Sequence, residues 1–169
     1  MAALRIYTTA AFKSINGPLR DLGRRERQEP HPLALTVVLI KSAVAKLRVV
    51  EAMSEDANRE VALYRGMKNV TVPEEFLAAG GTEVAPLSAT SDIQVALGYS
   101  ASTAGVVLRL RTRSSMERGA DLTFLSAFPG EKEYLFPPLT YLQPVQGAVP
   151  KQTVLGGARF TVLEVEPRA

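Results

Sequence analysis

Apolar residues recur at helical spacing in the first half of the chain. They predict a long helix over residues 33–57, in which the repeating apolar positions are Val37, Val38, Val44, Leu47 and Val50. A second helix is expected to begin near Pro73, since proline suits the first helical turn, and to end at the Gly80-Gly81 pair. Asp92 is typical of the residue before a helix and predicts a third one, which continues to about Tyr99.

Short runs of alternating or apolar residues predict strands in the remainder of the chain. The predicted strands are 61–66, 83–89, 105–111, 132–136, 153–155 and 158–165. Helices lead and strands dominate the second half, so the predicted fold class is α+β. The 169 residues are 46% apolar and no linker or low-complexity tract divides them, which is enough for one core. We therefore expect a single domain over residues 1–169.

The chain has no cysteine and one histidine. Disulfides and cysteine metal sites are therefore excluded, and a lone histidine cannot by itself make a metal site. His31 lies between two prolines, which favours a loop position. We expect no metal cofactor.

The start of the chain shows no visible signal peptide, because no basic segment precedes an apolar core. The longest apolar run, from Leu33 to Ile40, is far shorter than the ~20 residues that span a membrane. We therefore expect a soluble protein with no membrane partner, either cytoplasmic or secreted.

The net charge of +3 is mild, but arginines cluster in two places. One cluster surrounds Asp21 and Glu26 and contains Arg20, Arg24, Arg25 and Arg27. In the other, alternate positions of a predicted strand are basic, namely Arg109, Arg111 and Arg113. Stacking aromatic residues interleave with neither cluster, although single-strand binding usually needs them. We therefore expect no nucleic-acid partner and interpret both clusters as solvated or anion-attracting surfaces.

Two pairs of glutamates share the same spacing. Glu131 and Glu133 follow a turn and begin a strand-like run, so strand alternation would place both carboxylates on one face, roughly 6.5–7 Å apart. Glu164 and Glu166 occupy the polar end of the last predicted strand, where solvated side chains are the ordinary interpretation. Spacing alone does not separate the two pairs.

Three segments, in chain order, resemble the motifs of a known family. They are Leu63-Tyr64-Arg65-Gly66-Met67, Ser88-Ala89-Thr90 and Glu131-Lys132-Glu133. They resemble the arginine, serine and Glu-x-Glu motifs of mono-ADP-ribosyltransferases of the cholera-toxin-like, arginine-specific branch. Residues 4–20 look like that family's leading helical segment, so the resemblance covers nearly the whole chain. It implies an ADP-ribosyltransferase-like fold, with N-terminal helices packed on two mostly antiparallel β-sheets around an NAD cleft.

The serine motif departs from the family pattern. The family usually shows Ser-Thr-Ser, whereas this chain keeps the outer hydroxyls of Ser88 and Thr90 and has Ala89 between them. The downstream Asp92 sets this alignment, and a shift of the serine role to Ser91 stays open.

Two carboxylates suit the chemistry that the resemblance implies. Cleavage of the bond between nicotinamide and ribose leaves a positively charged, oxocarbenium-like ribose, which fixed negative charge stabilises. One carboxylate at about 4 Å contributes on the order of 4 kcal/mol at an effective dielectric constant of about 20. By resemblance, Glu133 is that carboxylate. Glu131 would then pair with an incoming guanidinium and take a proton as nitrogen attacks.

The resemblance also implies roles for the neighbouring residues. The implied cofactor-binding residues are Arg65, Gly66, Ser88, Thr90, Tyr99 and Glu133. Arg65 would bind the pyrophosphate, Gly66 would hold the nicotinamide amide through its backbone, and Ser88 would orient Glu133 and NAD. Phe128 precedes Glu131 where relatives use an aromatic residue to contact the acceptor protein, so Phe128 and Glu131 are the implied acceptor-binding residues.

Each of these residues also has an ordinary interpretation. Arg65 taken alone suits a surface ion pair, Gly66 a turn and Ser88 a plain strand position. Tyr99 fits core packing as well as it fits packing on nicotinamide. A serine nucleophile is not expected, because no histidine stands in a plausible triad.

Three functions stay open. The first is transfer of ADP-ribose from NAD, as co-substrate, to an arginine of a protein acceptor, with release of nicotinamide. The second is NAD glycohydrolysis on the same fold, and the third is a catalytically inert NAD- or protein-binding module, favoured by the loss of the hydroxyl at Ala89. Arginine speeds nicotinamide release only in the first, and the inert module releases none.

Overall fold

The computed structural model describes residues 1–102, 105–147, 149–155 and 158–168. Its helices are α1 (Ala2–Tyr7), α2 (Phe12–Arg20), α3 (Leu22–Glu26), α4 (Ala34–Glu51), α5 (Glu74–Ala79) and α6 (Ile93–Ser100). Single 3-10 turns occur at Glu55–Asn58 and Pro129–Glu131. None of the helices in the described ranges is both long and apolar enough to cross a membrane.

Nine strands form one hydrogen-bonded sheet in the described part of the chain. They are β1 (Val61–Met67), β2 (Gly81–Glu83), β3 (Leu87–Thr90), β4 (Gly105–Thr112), β5 (Ala120–Asp121), β6 (Glu133–Phe136), β7 (Thr140–Pro144), β8 (Lys151–Leu155) and β9 (Ala158–Arg168). The strand order is β2-β7-β9-β4-β1-β3-β6-β5, and β8 pairs with the other side of β9. The pairing of β4 with β9 is parallel, and the other pairings are antiparallel. The predicted α+β class is confirmed.

The two sheets implied by the resemblance correspond to two groups of strands, which a short junction joins into one sheet. Seven residue pairs link β1 to β4 and four link β3 to β6, but a single pair, Tyr64 with Thr90, links β1 to β3. The sheet is therefore continuous and has one weak junction, where β1 meets β3.

Two apolar clusters support the sheet. One lies between the central strands and includes Leu63, Leu110 and Leu163, all fully buried. The other lies where α1, α2 and α4 cover β5 and β6, and Ile40 and Val44 supply the buried positions of α4. Full burial of such a side chain stabilises the fold by about 1.5–3 kcal/mol. This second cluster fixes the N-terminal helices against the strand that begins at Glu133.

The helix predictions are confirmed with one correction in length. α6 begins directly after Asp92, whose carboxylate accepts a hydrogen bond from the Gln94 amide at 2.9 Å. α5 follows Pro73 and ends before Gly80, which has a φ of 77°. The long helix stops at Glu51 instead of continuing to residue 57, and the Glu55–Asn58 turn follows it. Val38 and Val50, two of the apolar positions that suggested it, are exposed.

Strand boundaries differ more from the prediction. The predicted strand 83–89 is two strands, because β2 ends at Glu83 and β3 begins at Leu87. Pro86, which has no N–H for a ladder, precedes β3. β5 and β7 were not predicted. His31 lies in a loop, as expected, and its Nε2 atom is 2.9 Å from the Ile15 carbonyl oxygen.

The N-terminal arginine cluster forms ion pairs within the chain. Arg24 and Arg27 contact Glu29 at 3.2 and 2.7 Å, and Arg20 contacts Glu83 at 2.9 Å. The last pair joins α2 to β2. Part of the basic charge in this cluster is therefore balanced by nearby carboxylates.

Candidate active site

A cleft of about 420 Å³ lies beside the junction of β1 and β3. It brings together all eight residues that the sequence placed in the site, which are Arg65, Gly66, Ser88, Thr90, Tyr99, Phe128, Glu131 and Glu133. A second cavity, of about 430 Å³ near Val70 and Arg159, contains none of the eight and has no carboxylate among its described lining residues. The first cleft is therefore the candidate site.

The arginine, serine and glutamate motifs are connected through β3. This strand lies between β1 and β6 and therefore separates Arg65 from Glu133. An Arg65 guanidinium nitrogen donates to the Ser88 carbonyl oxygen at 2.6 Å, and Ser88 Oγ donates to Glu133 Oε1 at 2.7 Å. Three segments that are distant in sequence thus form one line of contacts in the cleft.

Glu133 is a buried carboxylate at the first position of β6. Its exposed fraction is 7%. Burial, and to a smaller extent the charge of Glu131, raise the pKa of Glu133 above its ordinary value. The Ser88 hydrogen bond and the Arg65 guanidinium lower it. The net effect is a raised pKa. An ionised carboxylate in this position is incompletely compensated and favours a cation beside it.

Arg65 lies half-buried in the wall of the cleft. Burial lowers the pKa of its guanidinium, and the phenol of Tyr7 has the largest opposing influence. The ordinary pKa of arginine is so high that the group stays charged. In the described part of the chain Arg65 has no salt bridge, so the interpretation as a surface ion pair is wrong.

Glu131 lies in a turn and not in a strand. It ends the Pro129–Glu131 3-10 turn, and Lys132 follows in the left-handed region with a φ of 46°. The expectation that strand alternation sets the geometry of the two glutamates is therefore wrong. Both side chains line the cleft because the turn, and not the pleat, directs Glu131 towards it.

Thr90 and Tyr99 hold this turn. Thr90 Oγ1 donates to the Glu131 carbonyl oxygen at 2.5 Å and accepts from the Asp92 amide at 3.0 Å. The Tyr99 hydroxyl donates to Glu131 Oε1 at 2.9 Å. Tyr99 is 53% exposed, so its interpretation as a core residue is wrong. Burial of its hydroxyl and the neighbouring Glu131 carboxylate raise the pKa of Tyr99 to about 12.

Gly66 is required by helix packing. A Cβ atom at this position would lie 1.9 Å from the Ala96 carbonyl oxygen of α6. The residue pairs with Val107 inside the β1–β4 ladder, so the turn interpretation is wrong. Because glycine lets α6 approach β1 so closely, the helix that carries Tyr99 is fixed against the strand that carries Arg65.

The hydroxyl that reaches Glu133 belongs to Ser88. Ser91 instead donates its backbone N–H to the Lys132 carbonyl oxygen at 3.4 Å. Ala89 is 4% exposed and packs in the central apolar cluster. Loss of the middle hydroxyl therefore leaves the contact between Ser88 and Glu133 in place.

Phe128 lies at the mouth of the cleft and is 56% exposed. Its backbone is held on both sides, because its N–H donates to Ser126 Oγ at 3.0 Å and its carbonyl oxygen accepts from the Glu131 amide at 3.0 Å. Phe128 is thus an exposed aromatic residue on a loop held next to Glu131, and binding residues are often found on loops.

Tyr7 and Asn16 also line the cleft, and no role for either was predicted from the sequence. The Tyr7 hydroxyl donates to the Pro86 carbonyl oxygen at 3.0 Å and accepts from Asn16 Nδ2 at 3.0 Å. Burial raises the pKa of Tyr7 to about 12. Asn16 Oδ1 is buried and has no hydrogen-bond partner in the described chain. The polar Asn16 after Ile15 was the available signal.

The described residues contain no group of three or more His, Asp or Glu side chains that could hold a metal ion. The cleft itself presents two carboxylates, one guanidinium and several hydroxyl groups.

Several solved structures with the same architecture are ADP-ribosyltransferases. The chain is similar to Plx2a, an ADP-ribosyltransferase toxin from Paenibacillus larvae, with a TM-score of 0.70 and 20% identity over 99% of this chain and 85% of that one. It is also similar to the Vis toxin of Vibrio splendidus in complex with agmatine, with a TM-score of 0.65 and 18% identity over 97% and 72% of the two chains. A third similar structure is the ADP-ribosyltransferase HopU1 of Pseudomonas syringae pv. Tomato DC3000. Its TM-score is 0.61, and the two sequences are 21% identical over 93% of this chain and 66% of that one.

No protein-family model matches the chain, and no curated protein sequence matches it significantly. The structural likeness nevertheless covers almost all of the chain, and the cleft holds the arginine, serine and glutamate segments together. The resemblance stated from the sequence is confirmed at the level of architecture: the chain has the fold of the mono-ADP-ribosyltransferases.

Proposed function

We propose that this protein transfers ADP-ribose from NAD to an arginine side chain of a protein acceptor and releases nicotinamide. The observation that carries the proposal is the pair of carboxylates in one cleft with different partners. Glu133 is buried and bound by Ser88, whereas Glu131 lies in the turn at the mouth and is bound by Tyr99. Two differently placed carboxylates suit a reaction with two partners.

The cleft offers groups that fit NAD. Arg65 presents a charged, planar donor for the pyrophosphate. Gly66 exposes backbone to the cleft without a side chain. The volume of about 420 Å³ lies in the range of about 300–1,000 Å³ that is usual for ligand sites.

Glu133 is suited to the bond-breaking step. The bond between C1′ of the ribose and N1 of nicotinamide breaks, and nicotinamide leaves with the electron pair. Positive charge then develops on the ribose. Glu133 acts by electrostatic stabilisation of that charge, which is strong because the carboxylate is shielded from water and already oriented by Ser88.

Glu131 is suited to the bond-forming step. A guanidinium pairs with a carboxylate by charge and planar geometry. Glu131 holds the acceptor at the mouth, a guanidinium nitrogen bonds to C1′, and the proton displaced from that nitrogen passes to the Glu131 carboxylate. A glutamine in this position could not take the proton. The similar Vis toxin has been solved with agmatine, a guanidinium compound, and this is consistent with such an acceptor.

The test measures nicotinamide release from NAD with and without agmatine, for the wild type and Glu131→Gln. We expect agmatine to speed release by the wild type. Glu131→Gln should lose this stimulation and keep much of the hydrolysis by water, which needs no guanidinium partner. Glu166→Gln is the matched control with the same chemical change outside the cleft.

The outcomes separate the three functions. Release by the wild type that agmatine does not change would identify an NAD glycohydrolase. Absence of any release would identify an inert binding module. A Glu131→Gln variant that responds to agmatine like the wild type would remove Glu131 from the acceptor step.

A further inference from the structure

The side chain of Glu131 is held by a hydroxyl from outside its own turn. We propose that Tyr99 is a positioning residue for the acceptor step, because its hydroxyl fixes the Glu131 carboxylate in the orientation that receives a guanidinium. The proposal rests on the proposed function and adds a residue that determines how well an arginine-like acceptor is used. Tyr99 acts through Glu131 and not on the bond that breaks.

The corner between β3 and α6 holds the turn at several points. Thr90 donates to the Glu131 carbonyl oxygen at 2.5 Å, and the Ser91 amide donates to the Lys132 carbonyl oxygen at 3.4 Å. These contacts fix the backbone of the turn. Tyr99 adds a contact to the side chain, since its hydroxyl donates to Glu131 Oε1 at 2.9 Å. The backbone and the carboxylate of Glu131 are therefore fixed by different groups.

Tyr99 can fix Glu131 because its own helix is rigidly placed. α6 approaches β1 so closely that a Cβ atom on Gly66 would overlap the Ala96 carbonyl oxygen. Ala96 and Leu97 are buried, and both belong to the helix that carries Tyr99. Because α6 is firmly packed, the Tyr99 hydroxyl holds the Glu131 carboxylate in a defined position, although the turn itself is exposed.

The contact leaves one carboxylate oxygen for the acceptor. Tyr99 occupies Oε1, and in the described part of the chain no donor reaches Oε2. Because the pKa of Tyr99 is raised to about 12, the hydroxyl stays neutral and donates throughout the neutral range. An oriented carboxylate loses less conformational freedom when a guanidinium binds, so the acceptor binds more tightly.

The test is a substitution cycle that combines Tyr99→Phe with Glu131→Asp in the chain of 169 residues. Tyr99→Phe removes the hydroxyl and keeps the ring. Glu131→Asp keeps a carboxylate but shortens the side chain by one methylene, which moves it away from the hydroxyl. Nicotinamide release is measured against agmatine concentration at saturating NAD, and KM and kcat are determined separately for all four proteins.

We expect Tyr99→Phe to raise the KM for agmatine roughly tenfold in the wild-type background, as loss of a hydrogen bond to a charged group does. The effect on kcat should be smaller than the effect on KM. In the Glu131→Asp background, the same substitution should change the KM for agmatine by less than about twofold, because the partner has already been withdrawn.

Three results would overturn the proposal. An unchanged or lowered KM in Tyr99→Phe would show that the hydroxyl does not position the acceptor group. An equal rise in both backgrounds would show that Tyr99 acts independently of Glu131, for example by packing on nicotinamide. A wild type that is not stimulated by agmatine would overturn the proposed function together with this inference, whereas the first two results leave the proposed function intact.

Discussion

The chain contains two Glu-x-Glu pairs that the fold uses in opposite ways. Glu164 and Glu166 lie on β9 and bind arginines: Glu164 pairs with Arg109, and Glu166 contacts Arg113 at 2.7 Å. Glu131 and Glu133 form no salt bridge in the described chain, and hydroxyl groups hold them instead. One pair is neutralised by the fold. The other retains negative charge in a cleft.

The difference arises from the neighbouring strand and not from the spacing. β9 runs parallel to β4 and aligns Glu164 with Arg109. Arg113, directly after the end of β4, reaches Glu166. β6 instead pairs with β3, which offers the hydroxyl of Ser88. A hydroxyl orients a carboxylate without cancelling its charge. Such a carboxylate can therefore still stabilise a cation that arrives from outside.

The largest expected effect is on nicotinamide release, and it should distinguish Glu133 in the cleft from Glu166 on β9. Glu133→Gln should lower nicotinamide release by roughly 100-fold or more, because one electrostatic contact in the transition state is lost. Burial raises the pKa of Glu133, so its ionised form disfavours folding at neutral pH and the variant should melt no lower than the wild type.

Glu166→Gln is the matched control and should stay within about twofold of the wild-type rate, since its position lies outside the cleft. Near-normal nicotinamide release by folded Glu133→Gln, or an equal loss in both variants, would contradict the contrast between the two pairs.

A smaller effect concerns pH and tests the hydroxyl beside Glu133. In the proposed reaction the ionised form of Glu133 is the active one, so activity should be lost as pH falls through its raised pKa. The Ser88 hydrogen bond lowers that pKa. Ser88→Ala should therefore shift the acidic limb of kcat/KM towards higher pH by about one unit, which corresponds to about 1.4 kcal/mol.

The pH–rate profile of Ser91→Ala provides the control, because Ser91 contacts Lys132 through its backbone and should leave the acidic limb in place. A shift in Ser91→Ala without one in Ser88→Ala would transfer the serine role to position 91.

The smallest effect concerns stability and tests the pair on β9. Glu164→Gln should lower the free energy of unfolding by about 0.2–1 kcal/mol, because its partner Arg109 is partly exposed and solvent screens the ion pair. Chemical denaturation measures this change, and nicotinamide release should remain at the wild-type level. A loss of activity in a stable Glu164→Gln protein would show that the pair on β9 also serves the reaction.

The sequence predicted the elements that carry local signals. Pro73 and Asp92 marked the starts of α5 and α6, and both are confirmed. β5 is two residues long and has no period to detect, and β7 ends in Pro144, which is unusual within a strand. The α4 prediction was too long because the apolar spacing does not show that the buried face ends: α4 stops at Glu51, and the apolar Met53 that follows is exposed.

The candidate site was predicted as a set of residues but not as a geometry. The motifs named Arg65, Ser88 and Glu133, and the fold brings them into contact through β3. The contact between Tyr99 and Glu131 joins residues that are 32 positions apart, and no local pattern indicates it. Nor does spacing reveal that Lys132 adopts a positive φ and turns Glu131 out of the strand.

The junction between β1 and β3 has a mechanical consequence. Every other pairing of described strands contains at least two residue pairs, whereas this one consists of Tyr64 with Thr90. Arg65 stands on one side of the junction and Glu133 on the other. The ladder therefore contributes little to holding the two sides together. Arg65 donates to the Ser88 carbonyl oxygen across the junction, and α6, which packs on β1, holds the Glu131 turn through Tyr99.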